Sequence, residues 1–309
     1  MSKKLEATMR GGSVFVLGLA FAAQAVAEDQ PPPAASESTI VVEGSRVPKK
    51  QVDEFVRSLT IAPSLGQIAR FHWSVCPAVL GLPDRQNRQI EQRMRAVASA
   101  AAIPVGKADC VANSIVIVTD DRRALIEGLA RKYPSYFHNV VSVKSLIDRP
   151  GHAVAWHVEG FVDAEGQAAL GSSRQLGGSV GPPGSHVPVT ESTSGGRLHT
   201  QTARQFIAGV LVLDRQGLSG LTTTQVADYA AMRLFARTDP VKLKATATAT
   251  ILKVLDIPMG SPTPVTLTAW DLGYLKALYA SDARQLAQQQ RGEMRDMLAK
   301  DVVAGRDRK

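Results

Sequence analysis

The chain has 309 residues, with 36 Lys and Arg against 28 Asp and Glu and a net charge of +8. The basic excess is spread along the chain, and with five Tyr, eight Phe and three Trp no segment interleaves bases with aromatic rings. Nucleic acid is therefore disfavoured as a partner, because a single-strand stacking platform needs that interleaving. After residue 23 the longest apolar run is 207–213, a buried-strand length, whereas spanning a bilayer takes roughly 20 residues.

Residues 1–27 read as a secretory signal peptide. Lys3, Lys4 and Arg10 precede an apolar run at 14–23, and Ala25-Val26-Ala27 supplies a small-x-small cleavage site before Glu28. The apolar run is too short for a membrane anchor and contains Gly18. Export implies a periplasmic or secreted mature chain with 33 bases and 27 acids, or +6, and a weak, salt-sensitive attraction to anionic surfaces. The two cysteines, Cys76 and Cys110, are then expected to form a disulfide. Neither belongs to a Cys-x-x-Cys or Cys-His cluster, so they do not read as a metal half-site.

Residues 28–45 are rich in Pro, Ala and Ser and predict a flexible lead-in. A single α+β domain is expected over 46–303, followed by a polar tail at 304–309. Val52, Phe55, Val56 and Leu59 fall at helical spacing. A short strand at 75–80, a helix at 83–102 with Ile90, Met94, Val97 and Ala101 inward, and a fully buried strand at 114–119 make a strand-helix-strand unit with parallel strands. That arrangement brings Cys76 and Cys110 near each other. Asp120-Asp121 cap a helix to Arg131, with Ala124, Leu125, Leu129 and Ala130 as its inner face.

Alternation at 153–162 predicts a strand and 163–166 a turn. Residues 171–200, dominated by Gly, Ser, Thr and Pro, predict a long flexible loop. A second apolar strand follows at 205–214, and Thr222-Thr223-Thr224-Gln225 supplies a capping box for a helix to Ala236. Further helices are expected at 247–255, from Thr268 through Leu272, Leu275 and Leu278, and at 284–303. The domain is therefore a mixed sheet with a strand-helix-strand N-terminal half and a helical C-terminal half.

Candidate chemistry is sparse. Gly177-Gly178-Ser179-Val180-Gly181 matches the G-x-S-x-G pattern of a serine nucleophile, but its Gly- and Pro-rich flanks read as loop. His152, His157 and Glu159 resemble metal ligands by type, yet on a strand His157 and Glu159 share a face that His152 does not. Asp120-Asp121 end a buried strand, where open α/β sheets place ligand groups, and also serve as a cap. His72, His138, His186 and His199 have no partner of matching type nearby in sequence. No metal and no cofactor is implied.

Three resemblances add to this. Ile40-Val41-Val42-Glu43-Gly44-Ser45-Arg46 resembles the segment that opens the plug of TonB-dependent receptors; a receptor barrel needs many more strands, so that function is not carried over. The order of an apolar strand, the 222–235 helix, Ile257-Pro258-Met259-Gly260 and the Thr268, Asp271, Leu275, Tyr279 helix resembles the C-terminal layout of secreted zincin-like proteins. Active zincins carry H-E-x-x-H on the first of these helices, and here Thr224-Gln225-Val226-Ala227-Asp228 replaces it, so no zinc chemistry transfers. Asp228 and Tyr229 would be polar remnants of a cleft or part of a solvated helix face. Cys76-Pro77-Ala78-Val79, Val118-Thr119-Asp120-Asp121 and Thr223-Thr224-Gln225-Val226-Ala227-Asp228-Tyr229-Ala230 are similar to segments of exported sphingomonad-type proteins of unknown function.

The sequence thus points to an exported binding domain on a degenerate zincin-like scaffold, with an envelope protein or ligand as partner. The alternative is a hydrolase whose groups are dispersed in sequence, drawing on Asp120, Asp121, His157 and Glu159.

Overall fold

The computed structural model describes residues 49–62, 66–137, 139–163, 200–243, 248–256 and 262–304, all within the unit Ser38–Lys309. The signal peptide, the lead-in, the 164–166 and 171–199 segments with their Gly177–Gly181 pattern, His138, His186, His199, Ile257 to Gly260 and residues 305–309 lie outside the described residues.

Helix α1 (Lys49–Leu59) buries Val52, Phe55, Val56 and Leu59, the face its spacing predicts. Strand β1 (Pro77–Leu80) is parallel to β2 (Ser114–Thr119), with α2 (Asp84–Ala100) between them in sequence. Just before β1, Val75 makes an isolated parallel bridge to Val105. Cys76 and Cys110 are joined as a disulfide, their Cα atoms 6.0 Å apart. Arg95 of α2 lies over this bridge and donates to the Gly106 carbonyl at 2.7 Å. A Cβ at Gly106 would sit 2.6 Å from the Cys110 Sγ, so this approach requires glycine.

Beyond β2, Asp121 caps α3 (Arg122–Lys132) by accepting from the Ala124 N–H at 2.9 Å. Ile126 is the buried residue of α3; Leu125, Leu129 and Ala130 are partly buried and Ala124 is exposed. The inner face is therefore turned from the predicted one, because α3 lies against only part of the sheet. A short helix α4 (Val143–Ile147), capped by Ser142, precedes β3 (Ala153–Val162). Strand β4 (Ala203–Asp214) then runs antiparallel to β3 and parallel to β2, giving the order β1-β2-β4-β3.

The two faces of this sheet are covered unequally. Val116, Val118, Leu211 and Leu213 pack into the main core with α2 and α5 (Thr223–Phe235), whereas Val154, Trp156, Val210 and Val212 meet α3, α4 and Phe137 in a smaller one. Hence β2 is not buried on both faces as predicted: Ile115, Ile117 and Thr119 remain partly accessible.

Helix α5 begins at the predicted Thr222–Gln225 capping box and is buried continuously from Gln225 to Phe235. Apolar side chains around its whole circumference explain this; a helix with one solvated face would show a stripe. The polar exceptions need internal partners, and Asp228 finds them in Arg93 of α2. The Arg93 Nε–Asp228 Oδ1 distance is 2.7 Å with side chains 5% and 0% exposed. Thr266 and the Leu267 N–H also donate to Asp228. Of the short helix expected at 247–255, the described residues form one 3-10 turn at 251–253, since the Thr250 hydroxyl and the Asp271 carboxylate capture the Leu252 and Ile251 N–H groups. Helices α6 (Ala269–Ala280) and α7 (Ala287–Ala304) pack together where Gly273 leaves room for Leu298.

Two stability outcomes follow. Replacing both cysteines by serine should lower the unfolding free energy by about 3–4 kcal/mol through lost loop constraint, measured by urea titration of the protein with and without reductant. Arg93→Met should cost about 3–5 kcal/mol by leaving a buried carboxylate unpaired, and the double change with Asp228→Leu should recover much of it; equal losses in the single and double variants would contradict the pairing.

Candidate functional site

The four residues that could have made a dispersed hydrolase site divide between two places. Asp120 and Asp121 line a surface depression with Arg122, Arg123, His152 and Asp214 at the C-terminal ends of β2 and β4. There Asp120 is 77% exposed and bound by Arg215 at 2.9 Å, while Asp121 is occupied as the α3 cap. His157 and Glu159 line a different cleft beside the β3 edge. His152 lies 3.8 Å from Asp214, apart from both of them, as the strand alternation implies. Among the described residues no three His, Cys, Asp or Glu side chains are grouped to hold a metal ion.

The β3 cleft has a volume of about 370 Å³. Its floor is the β3 edge; its walls come from residues 139–149, the end of α5 and the segment after it, with Ile61 beyond α1. A bulge shapes the floor. Val158 pairs with Ala208 but Glu159 with Phe206, so Ile207 is the extra residue of β4. The Glu159 N–H there donates to Asn139 Oδ1 at 2.7 Å. On the side-chain end, Glu159 accepts from Arg204 at 2.8 Å through Oε2 and from Arg237 at 2.9 Å through Oε1. This carboxylate therefore bridges β4 to the chain leaving α5.

His157 is held by different forces. Its ring stacks on Phe206 with centroids 4.0 Å apart, and Nε2 donates to the Leu234 carbonyl at 3.0 Å. Gly209 makes the space: a Cβ there would lie 3.2 Å from the ring. Burial pushes the imidazole down to about 3; the Leu234 hydrogen bond opposes this, and the positive charges of Arg237 and Arg233 reinforce it. His157 is thus a neutral donor in the wall of the cleft.

The two cleft candidates on α5 part company. Asp228 is fully buried in its pair with Arg93 and lines none of these cavities. Tyr229 is also buried but lines a second, smaller cavity, and its hydroxyl receives a 2.8 Å hydrogen bond from Arg233. Burial raises the Tyr229 phenol above its ordinary range, against the influence of Arg233.

What sequence reading missed is the cationic lining. Arg149, Arg204, Arg233, Arg237 and Lys242 face Glu159 and Asp239 across the β3 cleft. These bases come from separate elements and form no local run. Arg233 carried a local signal, since it is the base in a helix that is apolar apart from its first turn, Asp228 and Tyr229. No family model, curated protein or solved structure matches the chain.

His157, buried, and His72, half-buried, set a pH dependence. His72 is pushed down to about 4 by burial and by Arg70, and its Nε2 is buried without a partner. Both His72 and His157 charge more readily in the unfolded chain, at the ordinary value of 6.5. Their contribution is therefore complete above pH 6.5 and is lost as pH falls toward 4 and 3. His157 alone should account for about 2 kcal/mol of lost stability between pH 7.5 and 5. Urea unfolding at these pH values should show a shallower dependence for His157→Gln than for the parent protein; parallel curves would contradict the assignment.

Proposed function

We propose that the chain is an exported, non-catalytic binding protein whose ligand site is the cationic cleft beside β3. The observation that carries this reading is the state of Glu159. A hydrolase base must accept a proton from water or substrate at hydrogen-bond distance. Glu159 is 9% exposed and each of its oxygens already accepts from an arginine. Its neighbour His157 has given Nε2 to the Leu234 carbonyl. The cleft remains open around these engaged groups, with a volume in the range of small-molecule sites.

Export rests on the sequence of residues 1–27 and is supported by the Cys76–Cys110 disulfide, which an oxidising compartment maintains. No helix among the described residues is long and apolar enough to cross a membrane. The zincin-like part of the reading rests on the order of elements from β4 to α6, with Thr224 to Asp228 where the zinc ligands would stand. A hydrolase using Asp120 or Asp121 is less favoured because those carboxylates belong to the depression at the ends of β2 and β4.

The expected outcomes are specific. The exported product should begin at Glu28 by intact-mass spectrometry, contain no stoichiometric zinc by elemental analysis, and turn over neither peptide nor ester substrates. Peptidase or esterase turnover that Glu159→Gln or His157→Gln abolishes would overturn the reading.

A further inference from the structure

Arg233 stands apart from the other cations of the cleft. It sits in the last turn of α5, is 3% exposed, and lines both the β3 cleft and the smaller cavity of about 70 Å³ that Tyr229 and Asp256 also border. Its Nη1 donates to the Tyr229 hydroxyl at 2.8 Å, and its guanidinium carbon lies 5.7 Å from the centre of the Tyr229 ring. Nε is buried without a hydrogen-bond partner. Among the described residues no carboxylate forms an ion pair with it. Arg93, buried against the same helix, has Asp228 at 2.7 Å. Asp239 and Asp256 border the smaller cavity with Arg233 but form no ion pair with it, and an anion in the cleft would supply the direct partner that this buried guanidinium lacks.

The surrounding charge indicates what kind of anion. Of the two acids in the cleft, Glu159 is shared by Arg204 and Arg237, and Asp239 turns Oδ1 to the Val241 N–H at 3.2 Å. Five bases against these two acids leave three positive charges uncompensated. Arg149 and Lys242 are exposed at the rim. A single carboxylate leaves most of that excess unanswered, whereas a phosphoryl group carries close to two negative charges and presents oxygens to several N–H donors at once. Trp156 and Leu146 supply an apolar wall beside the cations, suited to an organic remainder.

We propose that the cleft binds a terminal phosphomonoester, with Arg233 holding the phosphoryl group from below and Arg149 and Lys242 closing on it from the rim. This deepens the binding reading above and depends on it.

The test is isothermal titration of the mature protein at low ionic strength with phenyl phosphate, with benzyl alcohol as the uncharged control, and with vesicles containing phosphatidic acid. Saturable one-to-one binding of phenyl phosphate, absent for benzyl alcohol, is expected, and Arg233→Met should weaken it at least about tenfold. Combined with Tyr229→Phe, which removes the buried hydroxyl that Arg233 answers, Arg233→Met should leave the ligand-free melting temperature equal to or above that of the Tyr229→Phe single variant. Lys242→Gln, at an exposed position, should weaken binding about two- to fivefold without altering the fold. Binding of the vesicles but not of phenyl phosphate, lost on Arg233→Met, would support the same chemistry with a lipid headgroup as its source. Unchanged affinity in Arg233→Met, equal binding of benzyl alcohol, or no binding of either phosphate would overturn the assignment. Release of phenol, abolished by Glu159→Gln, would instead overturn the non-catalytic reading.

Discussion

Helix α5 is packed from Gln225 to Phe235 with no solvated face, so each polar side chain it carries must be answered from inside the protein. That constraint organises the domain. Asp228 is met by Arg93 from α2 and by Thr266 and the Leu267 N–H from the segment before α6. One carboxylate thereby fixes three parts of the chain in register around the central helix. Gln225, at the start, closes the capping box and reaches the Pro264 carbonyl at 2.9 Å. Because charge transfer into a protein interior is costly unless the charge is paired, these contacts specify the packing more sharply than apolar contacts of similar area.

The same logic recurs on α6 with a different answer. Asp271 is fully buried and faces no cation; it accepts from the hydroxyls of Thr250 and Thr268 and from the N–H groups of Ile251 and Thr268. Burial raises its carboxyl above the ordinary range, and those four donors pull it back. The core thus holds one carboxylate balanced by an ion pair and another by neutral donors. Against these two settled cases, Arg233, with Tyr229 as its hydroxyl partner and a buried Nε left over, is the unsettled one.

The sequence made much of this scaffold legible and little of the site. Helical spacing named the buried residues of α1, and the Thr222–Gln225 box located the start of α5, because both signals are local. The disulfide was legible from the cysteine count and the export expected of residues 1–27, with a parallel strand pair to bring the residues together. What failed, at α3, β2 and α5, depends on which faces the fold covers. Ile126 replaced Ala124 on the inner side of α3, and β2 is covered unevenly, since the smaller core lies over only part of the sheet. Asp228 and Tyr229 were visible as polar residues on a helix, but total burial of that helix is a tertiary fact. His157 and Glu159 both line the β3 cleft; that Arg204 and Arg237 occupy the carboxylate depends on β4 and the end of α5 meeting there.

Solvent divides the cations of the cleft into two kinds. Arg149 and Lys242 are exposed, and their fields are screened within a distance of about 8 Å at physiological ionic strength. They can draw an anion toward the opening, but each adds little to holding it, as for any solvated ion pair. Arg233 sits below them with 3% exposure, where screening is weak and the interaction of its charge with a ligand is correspondingly stronger. Attraction and retention are thus assigned to different residues, and only the second requires burial. That requirement fits a retaining charge carried by α5, whose end is buried and is held by the Arg93 pair at its middle and by the Glu159–Arg237 contact just beyond its last turn.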